Sequence, residues 1–232
     1  MFVFFDIDAT LVDHDKAAEL AASKFHEHFA HLFPDSQMKF LKAWHEVSDR
    51  HNDFYFRGEV SLIEQRRNRM RELFAHAEPV LSGEEADARF QVYLEHYESN
   101  WTLFDDVLPC LDRLAHLPLG LISNGDLEQQ RRKLKQTGLA ERFATVVISS
   151  EIGIGKPAPQ IFLEGCRRAK VGPEECIYIG DRLDVDVFAS RAIGMEGVWL
   201  NRKKSPLPDS PLPVIVNLDE LEKILSTVGR SG

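Results

Sequence analysis

Four groups of polar residues carry side chains that could do chemistry together. Asp6 and Asp8 follow the apolar run 2–5 (FVFF), and Ser123, Asn124, Gly125 and Asp126 follow the run 118–122 (PLGLI). Lys156 lies in EIGIGKPAP at 151–159, and Gly180, Asp181, Asp184 and Asp186 follow the run 176–179 (CIYI). A carboxylate can be a nucleophile, a proton donor or acceptor, or a ligand for a hard cation. Each group taken alone has a plainer reading. Asp-x-Asp after a strand commonly makes a turn or caps a helix, and Ser-Asn-Gly is an ordinary turn. The glycines before Lys156 suggest a phosphate-binding P-loop. That motif, however, needs glycine where Ser150 stands and Ser or Thr where Pro157 stands.

The elements between these groups predict where they sit. Runs 2–5, 118–122, 145–148, 176–179, 196–200 and 214–216 are short and apolar, the pattern of strands buried on both faces. From residue 118 onward, helical stretches at 127–137, 158–170 and 184–193 separate them. Strands alternating with helices predict an α/β fold with a parallel, Rossmann-like sheet. Ligands of such sheets bind outside the carboxyl ends of the strands, where all four polar groups fall. Residues 14–100 differ, with helical patterns at about 15–33, 37–50, 61–76 and 84–100 and no strand-like run. Ser61 with Glu64, and Ser82 with Glu85, fit the S-x-x-E capping box. The expected division is an α/β core at 1–13 and 101–232 with an inserted helical cap at 14–100.

On these motifs the sequence resembles the haloacid dehalogenase-like (HAD) hydrolases, in the phosphatase branch with a helical cap. DIDATL at 6–11 matches the first family motif, with Ala9 where glycine is commonest. Ser123 matches the second motif, Lys156 the third, and Gly180-Asp181 with Asp186 the fourth. The resemblance implies a HAD fold, Mg²⁺ as cofactor, and a small phosphorylated metabolite such as a nucleotide or sugar phosphate as substrate. By resemblance, Asp6 is the nucleophile and forms an aspartyl-phosphate. Asp8 is the acid that protonates the leaving alkoxide and then the base that activates water. Thr10, Ser123 and Asn124 are implied substrate contacts, and Lys156 neutralises charge in the transition state. The implied metal ligands are Asp6, the backbone carbonyl of Asp8, and Asp181, with Asp186 joining through water or orienting Lys156. Asp184 ranks lower, as a charge at a helix N-terminus. Crowded carboxylates repel one another, and an oxygen-only donor set that relieves this favours Mg²⁺. The dehalogenase branch lacks the second aspartate of the first motif, because a halide leaves without a proton. Asp8 argues against that branch. A phosphomutase needs the same two aspartates and stays open, whereas a non-catalytic relative would show degenerate motifs.

In the helical block, the stretch after Ser61 places Leu62, Ile63, Met70, Leu73 and Phe74 on one face, with Arg66 near its middle and Arg69 at its edge. Arg66 then either snorkels, pairs with a buried acid, or faces substrate. Trp44, Phe54, Tyr55 and Phe56 are candidates for a mouth under the cap, although core packing accounts for most aromatics. Eight of the nine histidines lie between His14 and His96, but H-E-x-x-H fails at Ala30, so a solvated helix face is expected. Arg131, Arg132, Lys133 and Lys135 are expected on an outer, solvent-exposed helix face.

Composition bounds the rest. With 28 Lys+Arg against 37 Asp+Glu, the net charge of −9 excludes a broad nucleic-acid surface. A metal ion and a lysine can still make one site attractive to a small anion. Cys110, Cys166 and Cys176 form no CxxC pair, which fits a reducing compartment. No apolar run approaches the length of a membrane span, and Asp6 and Asp8 interrupt the apolar N-terminus too early for a signal peptide. A cytoplasmic monomer or homodimer with no membrane partner is expected.

Overall fold

Six apolar runs form the strands β1 (Phe2–Phe5), β2 (Leu119–Ser123), β3 (Thr145–Ile148), β4 (Cys176–Gly180), β5 (Glu196–Leu200) and β6 (Val214–Ile215). The computed structural model describes residues 1–78, 80–209 and 211–228, apart from the side chains of Phe56 and Val228. Phe56, a candidate mouth residue, therefore lies outside the described side chains. The strands pair in the order β3-β2-β1-β4-β5-β6, all parallel, which bears out the α/β, Rossmann-like expectation. Every residue of β1, β2 and β4 is buried, because crossover helices cover both faces of such a sheet. Phe5, the last residue of β1, pairs with Leu121 of β2 and with Ile179 of β4, so β2 runs two residues and β4 one residue past the end of β1. The chain leaves β1 toward β2 and β3, then returns to β4 on the other side. That reversal is the switch point at which such sheets bind ligands.

The chain forms two compact units, Met1–His14 with Thr102–Gly232, and Asp15–Trp101. The first holds the sheet with α5 (Val107–Arg113), α6 (Leu127–Gln136), α7 (Ser149–Ile152), α8 (Pro159–Ala169), α9 (Phe188–Ala192) and α10 (Leu221–Val228). The expected helix 184–193 is divided: a wide π-type turn over Leu183–Val187 precedes α9. There Val187 N–H reaches back five residues to the Arg182 carbonyl, a widening that often marks functional sites.

The second unit consists mainly of α1 (His14–His28, whose first residue belongs to the first unit), α2 (Gln37–Phe56), α3 (Leu62–Phe74) and α4 (Gly83–Ser99). Ser61 Oγ accepts from Glu64 N–H at the start of α3, and Ser82 with Glu85 completes a reciprocal capping box at α4. The buried face of α3 carries Gln65, Arg69, Met70, Leu73 and Phe74, while Ile63 is 57% exposed. The stripe is thus rotated from the one expected, and Arg69 rather than Arg66 enters the core. Aromatic rings explain the difference. The Arg69 guanidinium lies 5.0–5.5 Å from the centroids of Trp44, Phe90 and Tyr93, and its Nη2 donates to Ser48 Oγ at 2.7 Å. Trp44 is 2% exposed and packs on Phe25 and Tyr93, so it belongs to this core. No described helix is long and apolar enough to cross a membrane.

Candidate active site

The site grows from the end of β1. Asp6 N–H donates to the Ile179 carbonyl at 2.9 Å, which carries the ladder with β4 one residue past the strand. The chain then turns tightly, with Leu11 and Val12 N–H both donating to the Ile7 carbonyl. Within this turn Ala9 takes the left-handed conformation, φ +59°. Asp6 is 6% exposed, and its Oδ1 accepts from Lys156 Nζ at 2.7 Å.

Lys156 is fixed from two directions. The Asn124 carboxamide accepts from Lys156 N–H at 2.7 Å and donates to the Lys156 carbonyl at 2.9 Å, so the loop after β2 braces the lysine backbone. The ammonium also donates to Asp186 Oδ1 at 2.6 Å and Tyr178 Oη at 2.9 Å, and Tyr178 in turn donates to the Ile122 carbonyl. Burial works against the charged ammonium, but Asp186 and Asp6 outweigh it and raise its pKa.

Asp186 comes from the π-type turn, and its Oδ2 accepts from Arg182 N–H at 3.0 Å. It packs so tightly on the end of β4 that a Cβ at Gly180 would stand 2.4 Å from its Cγ. Glycine is required there for the close approach. The Asp181 carbonyl accepts from Trp199 Nε1, which anchors the backbone and leaves the carboxylate to the site. Asp6, Asp181 and Asp186 each present an oxygen within 4.8 Å of the others. Burial pushes Asp181 up to about 8, helped by Asp6 and Asp186. Burial likewise pushes Asp6 up to about 6, against the pull of Lys156. Two buried carboxylates and a half-buried one, short of positive charge, are a donor set that suits a hard divalent cation.

Asp8 meets a different environment. Lys133 Nζ donates to Oδ1 at 2.5 Å, Gln130 Nε2 donates to Oδ2 at 2.9 Å, and His14 Nδ1 lies 3.7 Å from Oδ1. Burial would raise its pKa, but Lys133, His14 and Gln130 together lower it to about 2.

The remaining expected residues are less uniform. Ser123 is 1% exposed at the end of β2, beside Asn124. Thr10 is fully buried, its Oγ1 has no hydrogen-bond partner among the described residues, and its carbonyl accepts from Arg202 Nη2. Asp184 pairs with Arg182 at the surface and stands outside the carboxylate cluster. Arg66 belongs to α3 of the helical unit, where its guanidinium lies 5.1 Å from the Phe90 ring centroid. That unit also contains a cavity of about 260 Å³ lined by Phe33, Phe40, Val47, Leu73 and His76 among others, and no residue of the carboxylate cluster lines it.

The profile of the haloacid dehalogenase-like hydrolases matches residues 1–194. The chain belongs to this family. Similar proteins include the glyceraldehyde 3-phosphate phosphatase of Methanopyrus kandleri, 38% identical over 131 residues, or 54% of this chain and 56% of that protein. This chain spans about half the length of several of the curated relatives it matches. Among solved structures, a HAD hydrolase of Bacillus subtilis bound to magnesium superposes with a TM-score of 0.82 at 23% identity, over 97% of each chain, a likeness of fold. A 2-haloacid dehalogenase of Pseudomonas syringae superposes with a TM-score of 0.72 at 29% identity, over 97% of this chain and 98% of that one.

Sequence reasoning missed three residues of this HAD hydrolase site. The basic run predicts Lys133 in solvent, yet it is 1% exposed and bonded to Asp8. It shares the inner face of α6 with Gln130 and Leu134, and that i, i+3, i+4 spacing is the signal that could have found it. Gln130 is missed for the same reason. Tyr178 reads as one more apolar strand residue, and only the structure turns its hydroxyl toward Lys156.

Proposed function

We propose that this chain is a Mg²⁺-dependent phosphatase that hydrolyses a small phosphorylated metabolite through an aspartyl-phosphate on Asp6. One observation carries the reading: the buried Asp6 carboxylate contacts Lys156 at 2.7 Å and shares a cluster within 4.8 Å with Asp181 and Asp186. The names of curated relatives, such as the Methanopyrus glyceraldehyde 3-phosphate phosphatase, support the same substrate class. Mg²⁺ would be held by Asp6, Asp181 and the backbone carbonyl of Asp8, with Asp186 assisting. When bound, it supplies positive charge to the phosphoryl oxygens.

The residues then divide the work. An Asp6 oxygen attacks phosphorus, forming a new P–O bond as the bond to the leaving oxygen breaks. Asp8, held as a carboxylate by its partners before substrate binds, takes up a proton when the phosphoryl negative charge beside it raises its pKa. It gives that proton to the leaving oxygen, because an alkoxide leaves badly without one. Lys156 and the Ser123–Asn124 turn stabilise the remaining phosphoryl oxygens. Water next attacks phosphorus and passes a proton to Asp8, and the P–O bond to Asp6 breaks to release phosphate. Dehalogenase chemistry has no use for the proton on Asp8, so that residue favours phosphoryl transfer despite the likeness to the Pseudomonas enzyme. We read the helical unit as a cap that governs substrate choice.

The test is phosphate release from p-nitrophenyl phosphate and a panel of phosphorylated metabolites, with and without Mg²⁺. Metal-dependent release is expected. Isomer formation without phosphate release would make the chain a mutase, and halide release from a 2-haloacid without phosphate release would overturn the reading.

A further inference from the structure

One helix holds both oxygens of Asp8. Lys133 and Gln130 stand about one turn apart on α6 and donate to Oδ1 at 2.5 Å and Oδ2 at 2.9 Å. The same Gln130 amide donates to the Asn124 carbonyl at 3.2 Å, so one side chain ties the loop after β1 to the loop after β2. The Lys133 side chain is 1% exposed while that of Asp8 is 28% exposed. The cation is walled in, and the open side of the pair is the carboxylate.

Burying an ammonium carries a desolvation penalty of several kcal/mol, and an apolar residue at 133 would pack the inner face of α6 at least as well. What Lys133 adds is direction. A carboxylate on a short side chain can rotate freely unless both oxygens are engaged, and proton transfer is sensitive to displacements of about 1 Å. We propose that Lys133 and Gln130 are positioning residues that set the direction of the Asp8 carboxylate for proton transfer, an inference that rests on the role given to Asp8 above.

Steady-state kinetics of wild type, Lys133→Met, Lys133→Arg, Gln130→Met, Asp8→Asn and the Asp8→Asn/Lys133→Met double variant test this, with thermal unfolding in parallel. Lys133→Met should lower kcat roughly 10- to 100-fold while KM stays within about 2-fold. Lys133→Arg should recover part of the loss. The loss should be larger for a simple alkyl phosphate than for p-nitrophenyl phosphate, whose leaving group departs without a proton. In the Asp8→Asn background, Lys133→Met should add less than about a 2-fold further loss, because its effect passes through Asp8. Gln130→Met keeps the Lys133 pair and should give the same pattern at smaller size, which keeps the test readable if Lys133→Met does not fold.

A raised KM with kcat retained would make Lys133 a substrate contact and overturn the inference. So would equal losses in both backgrounds, the mark of a structural prop. If wild-type protein releases no phosphate, the phosphatase reading falls and takes this inference with it. Wild-type turnover with additive losses removes this inference alone.

Discussion

The two walls flanking the turn after β1 use similar residue types in opposite balance. On one wall Asp6, Asp181 and Asp186 face the single ammonium of Lys156, and burial with mutual repulsion pushes Asp6 to about 6 and Asp181 to about 8. On the other, Asp8 alone has the ammonium of Lys133 and the amide of Gln130, and it is pulled to about 2. Aspartates two positions apart in sequence thus end at opposite extremes. The ratio of carboxylate to cation decides the outcome, not the residue type. The first wall is short of positive charge and suits an added cation. The second is complete within the protein.

The largest effect should follow from removing the proposed nucleophile. Asp6→Asn should lower phosphate release by at least about 10⁴-fold, since covalent catalysis has no substitute for that oxygen. Metal-dependent turnover surviving in purified Asp6→Asn protein would show that the first wall does not do the chemistry.

Stability should separate the two lysines next. Lys156→Met leaves Asp6 and Asp186 buried without their partner, a loss of roughly 3–5 kcal/mol by urea denaturation at pH 8. Lys133→Met leaves Asp8 partly exposed and still bonded to Gln130, so about 1 kcal/mol is expected. Equal losses would mean that the two walls do not differ in how they depend on their cations.

The third prediction concerns pH. The folded pKa of Asp181, about 8, stands above its ordinary value of 3.8, so between those values the native state binds more protons than the unfolded one. Metal-free protein should therefore lose stability as pH rises from about 4 to 8, by roughly 2–4 kcal/mol. Asp6 contributes over the lower part of that window, up to about 6. Mg²⁺ should stabilise the protein more at pH 8 than at pH 5, because protons compete for the same oxygens. Asp181→Asn should flatten the profile and remove most of the Mg²⁺ effect. Thermal melts at several pH values, with and without Mg²⁺, check this, and an unchanged slope in Asp181→Asn would refute the assignment.

The first wall was legible in the sequence and the second only half so. Asp6, Lys156, Asp181 and Asp186 could be placed because β1, β3 and β4 are short apolar runs whose ends are unmistakable. Lys133 was hidden because it sits in a basic run, and such runs are usually solvated. Its burial depends on Asp8, 125 positions away in the chain, which local periodicity cannot register. Arg69 shows the same effect in the helical unit, where aromatic rings from α2 and α4 draw a charged residue inward. The π-type turn that delivers Asp186 leaves no mark in a 3.6-residue pattern.

Ala9 gives the finest test, because it lies in the turn that separates the walls. Its φ of +59° is a left-handed conformation that costs a residue with a Cβ roughly 1–2 kcal/mol. Glycine removes that strain but adds entropy to the unfolded chain, so Ala9→Gly should stabilise the protein by about 0.5–1 kcal/mol, seen as a higher urea midpoint. Ala9 has no group that takes part in the chemistry, so a turn held by its own hydrogen bonds should leave kcat within about 2-fold. A clear fall in kcat alongside the gain in stability would mean that the Cβ itself stiffens the turn. The opposed settings of Asp6 and Asp8 would then depend on alanine as well as on their partners.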